Sequence, residues 1–184
     1  MDSLLLMSAR ALGRLNGTLA RRGRDAAGAL LAAMLALALA QIVSRGVFHH
    51  SLGWAEELAR VALVWSVLLV APQAYRSGAN VAIVSFADAL PLRLLLAASV
   101  LLNVLVVWIL LVLLNESVAF WRRGLDMNAA TLELKMAWVY WIVPVSFAAL
   151  ALVGIELLVR LVLRLRGAES GIVMEGAMPA VTGD

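Results

Sequence analysis

Residues 44–60 read SRGVFHHSLGWAEELAR, and this stretch connects two long apolar runs of the chain. Because the connection is short, the two runs must be antiparallel neighbours. Trp54 is expected at interfacial depth in a membrane. Glu56 and Glu57 fall in the first turn of the second run, where a helix N-terminus favours negative charge. Arg60 follows them by four and three residues, so it can pair with either acid on one helix face.

The composition is that of a membrane protein. Of the 184 residues, 64% are hydrophobic and the mean hydropathy is +0.95, whereas soluble domains are about 45–50% apolar. The net charge of +3 comes from arginines scattered between apolar runs, which indicates membrane topology and anionic lipid as a partner rather than nucleic acid. The chain has no cysteine, so it has no disulfide, thiolate metal site or cysteine nucleophile.

Four apolar runs are long enough, with their flanks, to cross a bilayer. We expect a transmembrane domain over residues 26–166, with its spans at about residues 26–47, 54–75, 92–116 and 136–160. Residues 1–25 place leucines and arginines on different helical faces, which predicts an interfacial amphipathic helix; the alternative is a frayed basic tail. Residues 167–184 lack apolar periodicity, which predicts a flexible cytoplasmic tail. The predicted fold class is therefore an all-α membrane protein with four transmembrane helices and an N-terminal interfacial helix.

Several residues inside the predicted spans suggest helix packing. Small residues recur every four positions in the first span, where they would let another helix approach closely, at Gly28, Ala32, Ala36 and Ala40. The alternative is an alanine-rich helix with no special partner. Asn103 lies near the middle of the third span and should bond to a neighbouring helix. Pro144 should kink the fourth span, and Glu156 can pair with Arg160 near its exit.

The sequence contains no recognisable catalytic or cofactor-binding constellation. His49 and His50, the only histidines, are adjacent in a short turn and cannot both bind one metal ion in a helical bundle. There is no phosphate-binding loop, since the only lysine, Lys135, follows no glycine-rich segment. Ionisable residues lie near the span ends, whereas a self-sufficient carrier usually has them at mid-depth. We therefore expect a non-enzymatic chain without cofactor or metal that packs beside a larger protein.

The distribution of positive charge predicts the orientation. Five of the fifteen lysines and arginines fall on the side opposite the termini: Arg45, Arg60, Arg122, Arg123 and Lys135. The other ten share the side of both termini, and the side with more positive charge is cytoplasmic. Both termini are therefore expected in the cytoplasm, and the hairpin at residues 44–60 faces outward.

The same hairpin resembles the signature of the small membrane subunit of tripartite ATP-independent periplasmic (TRAP) transporters, the DctQ-like family. In that family a first helix ends in an arginine and an apolar pair, followed by a turn and Trp-(Ala/Ser)-Glu-Glu-Leu-Ala. Here the matching residues are Arg45, Val47-Phe48 and residues 54–59. The spacing of Trp138 and Tyr140 is one residue shorter than in the family, and the C-terminal tail is longer and acidic.

The resemblance implies a scaffold subunit in the bacterial inner membrane. Its partners would be a large membrane subunit that holds the substrate and sodium sites, and a periplasmic binding protein that delivers an organic acid of dicarboxylate or sugar-acid type. The particular substrate cannot be identified from this chain, because the residues that select it should lie on the partners. The alternatives are a membrane anchor of a redox complex and a stand-alone small transporter or channel.

The charged residues of the hairpin suggest two roles. We expect Arg45 to pair with one of Glu56 and Glu57, and Arg60 with the other, because unpaired charges near hydrocarbon are costly. The simpler alternative is that both acids only satisfy a helix N-terminus, which is worth about 0.3–1 kcal/mol each. Docking of the binding protein is a further possibility, either through these acids or through the cations Arg122 and Arg123.

The orientation can be tested by thiol labelling, since the chain has no cysteine of its own. An impermeant thiol reagent added outside the cell should label Ser51→Cys and leave Ser170→Cys unmodified, because the two positions are predicted on opposite sides of the membrane. Detergent permeabilisation, which should expose both thiols, is the control. Labelling of Ser170→Cys in intact cells would overturn the orientation.

Overall fold

The computed structural model describes residues 2–47, 53–77, 92–129 and 134–165. These residues form the helices α1 Asp2–Val47, α2 Gly53–Arg76, α3 Leu92–Arg123, α4 Ala137–Tyr140 and α5 Ile142–Leu165. Four segments are long and apolar enough to cross a membrane: Leu12–Val47, Gly53–Arg76, Ala97–Arg123 and Ala137–Leu163. The predicted all-α class with four spans is confirmed. The histidine pair and the C-terminal tail at 167–184 lie outside the described residues.

Helix α1 extends the first span toward the N-terminus without interruption. Arg21, Arg22 and Arg24, where we expected the N-terminal helix to end, lie inside α1. The helix continues because the segment has no proline and is rich in alanine, leucine and arginine, which are good helix formers. Its 46 residues make a helix about 70 Å long, against a hydrocarbon core of about 30 Å. The N-terminal part of α1 therefore reaches well beyond a single span.

The helices pack as two antiparallel pairs, α1 with α2 and α3 with α5. Both α1 and α2 also contact α5, so α5 joins the pairs. The backbones of α1 and α2 are in close contact at Gly23, where a Cβ atom would lie 2.7 Å from the carbonyl oxygen of Leu69. Any larger residue at Gly23 would push the two helices apart.

A hydrogen bond between α2 and α5 compensates for a proline within α2. Pro72 has no backbone N–H, so the carbonyl of Leu68, four residues earlier, lacks its usual helical donor. The hydroxyl of Ser146 on α5 donates to this carbonyl oxygen at 2.7 Å. In a membrane an unpaired carbonyl is costly, and a side chain on a neighbouring helix is a common remedy. The proline thus creates an acceptor that fixes α5 against α2.

A second hydrogen bond from α2 reaches the chain beside the interruption between α4 and α5. The break lies at Trp141, three residues before Pro144, whose ring clashes with the carbonyl of Tyr140 in a regular helix. The indole N–H of Trp65 on α2 donates to the carbonyl of Val139 at 3.0 Å. The ring of Trp65 also packs edge-on against Trp141, with the ring centroids 5.6 Å apart.

A double-mutant cycle tests the link between Pro72 and Ser146. Ser146→Ala should lower the free energy of unfolding in mixed micelles by about 1 kcal/mol, because it leaves the Leu68 carbonyl without a donor. In the Pro72→Ala background the restored backbone N–H can serve that carbonyl, so Ser146→Ala should cost clearly less. Equal costs in the two backgrounds would show that the hydroxyl does not compensate for the proline.

Candidate functional site

The carboxylate of Glu156 on α5 is completely buried, with an exposed fraction of 1%. One of its oxygens, Oε1, lies 2.6 Å from Nη2 of Arg160 and 3.5 Å from Nη2 of Arg76. The other oxygen, Oε2, accepts a hydrogen bond of 2.7 Å from the amide of Asn16. These four residues, which we call the Glu156 cluster, come from α1, α2 and α5 and join the three helices at one end of the bundle.

Two further hydrogen bonds attach the backbones of these helices to the cluster. The Asn16 amide also donates to the carbonyl oxygen of Leu152 at 3.2 Å, and Arg76 donates to the carbonyl oxygen of Gly13 at the same distance. A Cβ atom on Gly13 would lie only 2.6 Å from Nη2 of Arg160. Gly13 therefore leaves room for the guanidinium group, and Asn16 positions this part of α1 beside the carboxylate.

The Glu156 cluster carries one negative and two positive charges. The side chains of Arg160 and Arg76 are 14% and 29% exposed, so the excess positive charge remains partly solvated. The Nε atoms of both arginines are buried without a hydrogen-bond partner among the described residues. Removal of one member of a buried ion pair typically costs about 3–5 kcal/mol, because it leaves the other charge uncompensated. The cluster therefore fixes which ends of α1, α2 and α5 meet.

A second polar contact lies close to the Glu156 cluster. Asn103 on α3 is buried; its side-chain oxygen accepts a hydrogen bond from the hydroxyl of Tyr75, and its nitrogen donates to the carbonyl oxygen of Gly154 at 3.1 Å. A Cβ atom on Gly154 would lie 2.7 Å from a methyl group of Val107, so α3 and α5 are in close contact here. The Asn103 amide thereby joins α3 to both α2 and α5.

The hairpin residues that the sequence singled out lie at the opposite end of α2. Glu56 pairs with Arg60 within the helix, and both side chains are more than half exposed, so this ion pair contributes little stability. Arg45 is exposed and lines the same cavity as Glu56 and Gln41. The structure thus brings Arg45 and Glu56 near each other, and the proposed role of these charges in locking the hairpin stays a prediction. Trp54 is 43% exposed at the start of α2.

The small residues predicted for helix packing lie on the outer surface of α1. All four are exposed, namely Gly28, Ala32, Ala36 and Ala40. Within the bundle, α1 instead packs through small residues that come earlier in its sequence, at Gly13, Gly17, Ala20, Gly23 and Ala27. Their spacing of three or four residues is a sequence signal that could have identified the packing face. Arg122 and Arg123 are exposed at the end of α3.

The chemistry of the cluster is structural. Its acid, amide and guanidinium groups bind one another, and no group of three histidines, cysteines or acids that could hold a metal ion occurs in the described part of the chain. The fold and this site define a multi-span helical membrane protein whose polar groups hold its helices together.

Comparison with known families identifies the chain more closely. A family model described as tripartite ATP-independent periplasmic transporters, DctQ component, matches residues 34–164, which is more than half of the chain. The chain therefore belongs to the DctQ family, and the resemblance seen in the hairpin is confirmed. DctQ is a transporter component family and not an enzyme family. Comparison with curated proteins finds no match.

Proposed function

We propose that this chain is the small scaffold subunit of a sodium-coupled TRAP transporter for organic acids of dicarboxylate or sugar-acid type. The observation that carries this proposal is the match to a transporter component over residues 34–164. In this assignment a large membrane subunit holds the substrate and the sodium ions, and a periplasmic binding protein delivers the substrate. The match favours this role over a redox anchor or a stand-alone channel.

The internal pairing of polar groups supports a static role. The buried acid Glu156 is occupied by Arg160, Arg76 and Asn16, and the amide of Asn103 is occupied by Tyr75 and Gly154. A carrier that bound its own substrate would need free polar groups at mid-depth. These groups instead fix helices against one another, as a supporting subunit requires.

The outward faces of α1 and α3 are candidates for the contact with the large subunit. On α1 the exposed small residues between Gly28 and Ala40 would allow the close approach of a second helix. On α3 the side chain of Trp108 is 63% exposed near the middle of the span. Tryptophan is enriched at membrane interfaces, so a mid-span position suits a protein contact better than lipid tails.

The proposed orientation places both termini in the cytoplasm of a bacterium and the chain in the inner membrane. In this orientation Glu56, Arg60 and the end of α3 with Arg122 and Arg123 face the periplasm, where the binding protein docks. The Glu156 cluster lies at the cytoplasmic end. The excess of lysines and arginines on the side of the termini supports this arrangement.

Co-purification tests the scaffold role. A tagged chain extracted from its native membrane in mild detergent should bring down a larger multi-span protein in stoichiometric amount, and deletion of the chain should abolish sodium-dependent uptake of the organic acid. Ala36→Phe should reduce recovery of the partner at least about tenfold if the small-residue face is the contact. The control is Leu31→Phe, at an exposed position about 140° around α1 from Ala36. Purification of the chain alone, or with a coloured redox subunit, would contradict the proposal.

A further inference from the structure

A groove with a volume of about 460 Å³ lies between α1, α2 and α5, beside the Glu156 cluster. Its walls are apolar apart from two residues, Ser146 and Arg22. The hydroxyl of Ser146 already donates a hydrogen bond to the carbonyl of Leu68. Arg22 therefore supplies the only charge among the residues that line the groove, and it is exposed.

Arg22 belongs to a charged stretch of α1. The charge-free part of α1 begins at Ala26, and the residues just before it carry charges. Helical side chains lean toward the N-terminus of their own helix, so the guanidinium group of Arg22 lies toward the Leu19 end of the groove. The opposite end, at Ala26 and Ile142, is lined by apolar residues only. The groove therefore has an apolar end and a cationic end.

The length of the groove and its lining indicate the occupant. Along α5 it extends from Ile142 to Leu152, which is about 15 Å of helix. An acyl chain needs an apolar path of this kind and no hydrogen-bond partner, and an anionic head group needs a cation beside that path. The groove supplies both, with apolar walls along its length and Arg22 as its charge.

We propose that the groove binds an anionic phospholipid, with one acyl chain between α1, α2 and α5 and the phosphate on Arg22. Basic pockets between transmembrane helices are known to bind anionic head groups by this combination of charge and apolar surface. The acyl chain would touch the three helices that the Glu156 cluster joins. The lipid thereby completes the packing of α1 against the bundle. This inference rests on the groove itself and does not depend on the identity of the transported substrate.

Lipid analysis of the purified complex tests the proposal. Phosphatidylglycerol retained per protein after detergent washing is measured by mass spectrometry. Arg22→Gln should reduce the retained phosphatidylglycerol about fivefold, because one arginine near a membrane surface contributes about 1 kcal/mol toward anionic lipid. Arg21→Gln is the matched control, since Arg21 is equally charged and exposed but lies outside the groove. It should change retention by less than about twofold.

A second pair of variants tests the acyl-chain site without changing charge. Ala26→Phe places a ring in the groove from an exposed position and should displace the lipid, whereas Leu31→Phe, also exposed but about 140° around α1 from Ala26, should not. Equal loss in the variants of Arg21 and Arg22 would mean that a diffuse basic surface attracts lipid, and the proposal would fail. It would also fail if Ala26→Phe kept its lipid, or if a partner protein cross-linked at position 26 in a lipid-free complex.

Discussion

The burial of one carboxylate, Glu156, is the constraint on which this structure depends. An isolated ionised carboxylate is too costly to leave unpaired in an apolar environment, so it requires cations and hydrogen-bond donors within reach. The structure supplies them from three helices, with Arg160 one turn away, Arg76 at the end of α2 and Asn16 on α1. Any sliding of these helices past one another would separate the carboxylate from its partners. The interaction therefore sets register more than it adds stability.

The remaining contacts follow the same physical rule. Pro72 removes a backbone donor, and Ser146 on the neighbouring helix replaces it. Beside the interruption before α5, the indole N–H of Trp65 donates to the carbonyl of Val139. Hydrophobic burial cannot specify the arrangement of helices in lipid, because the surroundings are as apolar as the side chains. Close packing and polar contacts therefore specify this arrangement. A bundle held in this way suits the supporting role that we propose for the chain.

The sequence predicted the all-α class and the number of spans, but it predicted the cluster only in part. Long charge-free runs located α2 and α3, and the four-residue spacing of Glu156 and Arg160 identified their pairing. Arg76 is one of the ten cations on the side of the termini, and no local spacing connects it to an acid eighty residues later in the sequence. The segment before residue 26 was assigned to the membrane surface from its leucines, whereas the structure packs it through Gly13 and Asn16. Contacts between residues that are distant in the sequence leave no periodic signal, so the sequence did not predict the contacts that Arg76, Gly13 and Asn16 make.

Hydrogen exchange across α1 tests most directly whether the Glu156 cluster holds the start of this helix in the bundle. The measurement compares the natural chain with Glu156→Gln in lipid nanodiscs, with Glu116→Gln, an exposed acid on α3, as the control. The account predicts at least about tenfold faster exchange at amides 13–22 in Glu156→Gln, since charge-assisted hydrogen bonds worth about 1.5–3 kcal/mol are lost. Amides 30–40 should keep their rates, and the control should match the natural chain. Unchanged exchange at amides 13–22 in Glu156→Gln would show that α1 does not depend on the buried carboxylate.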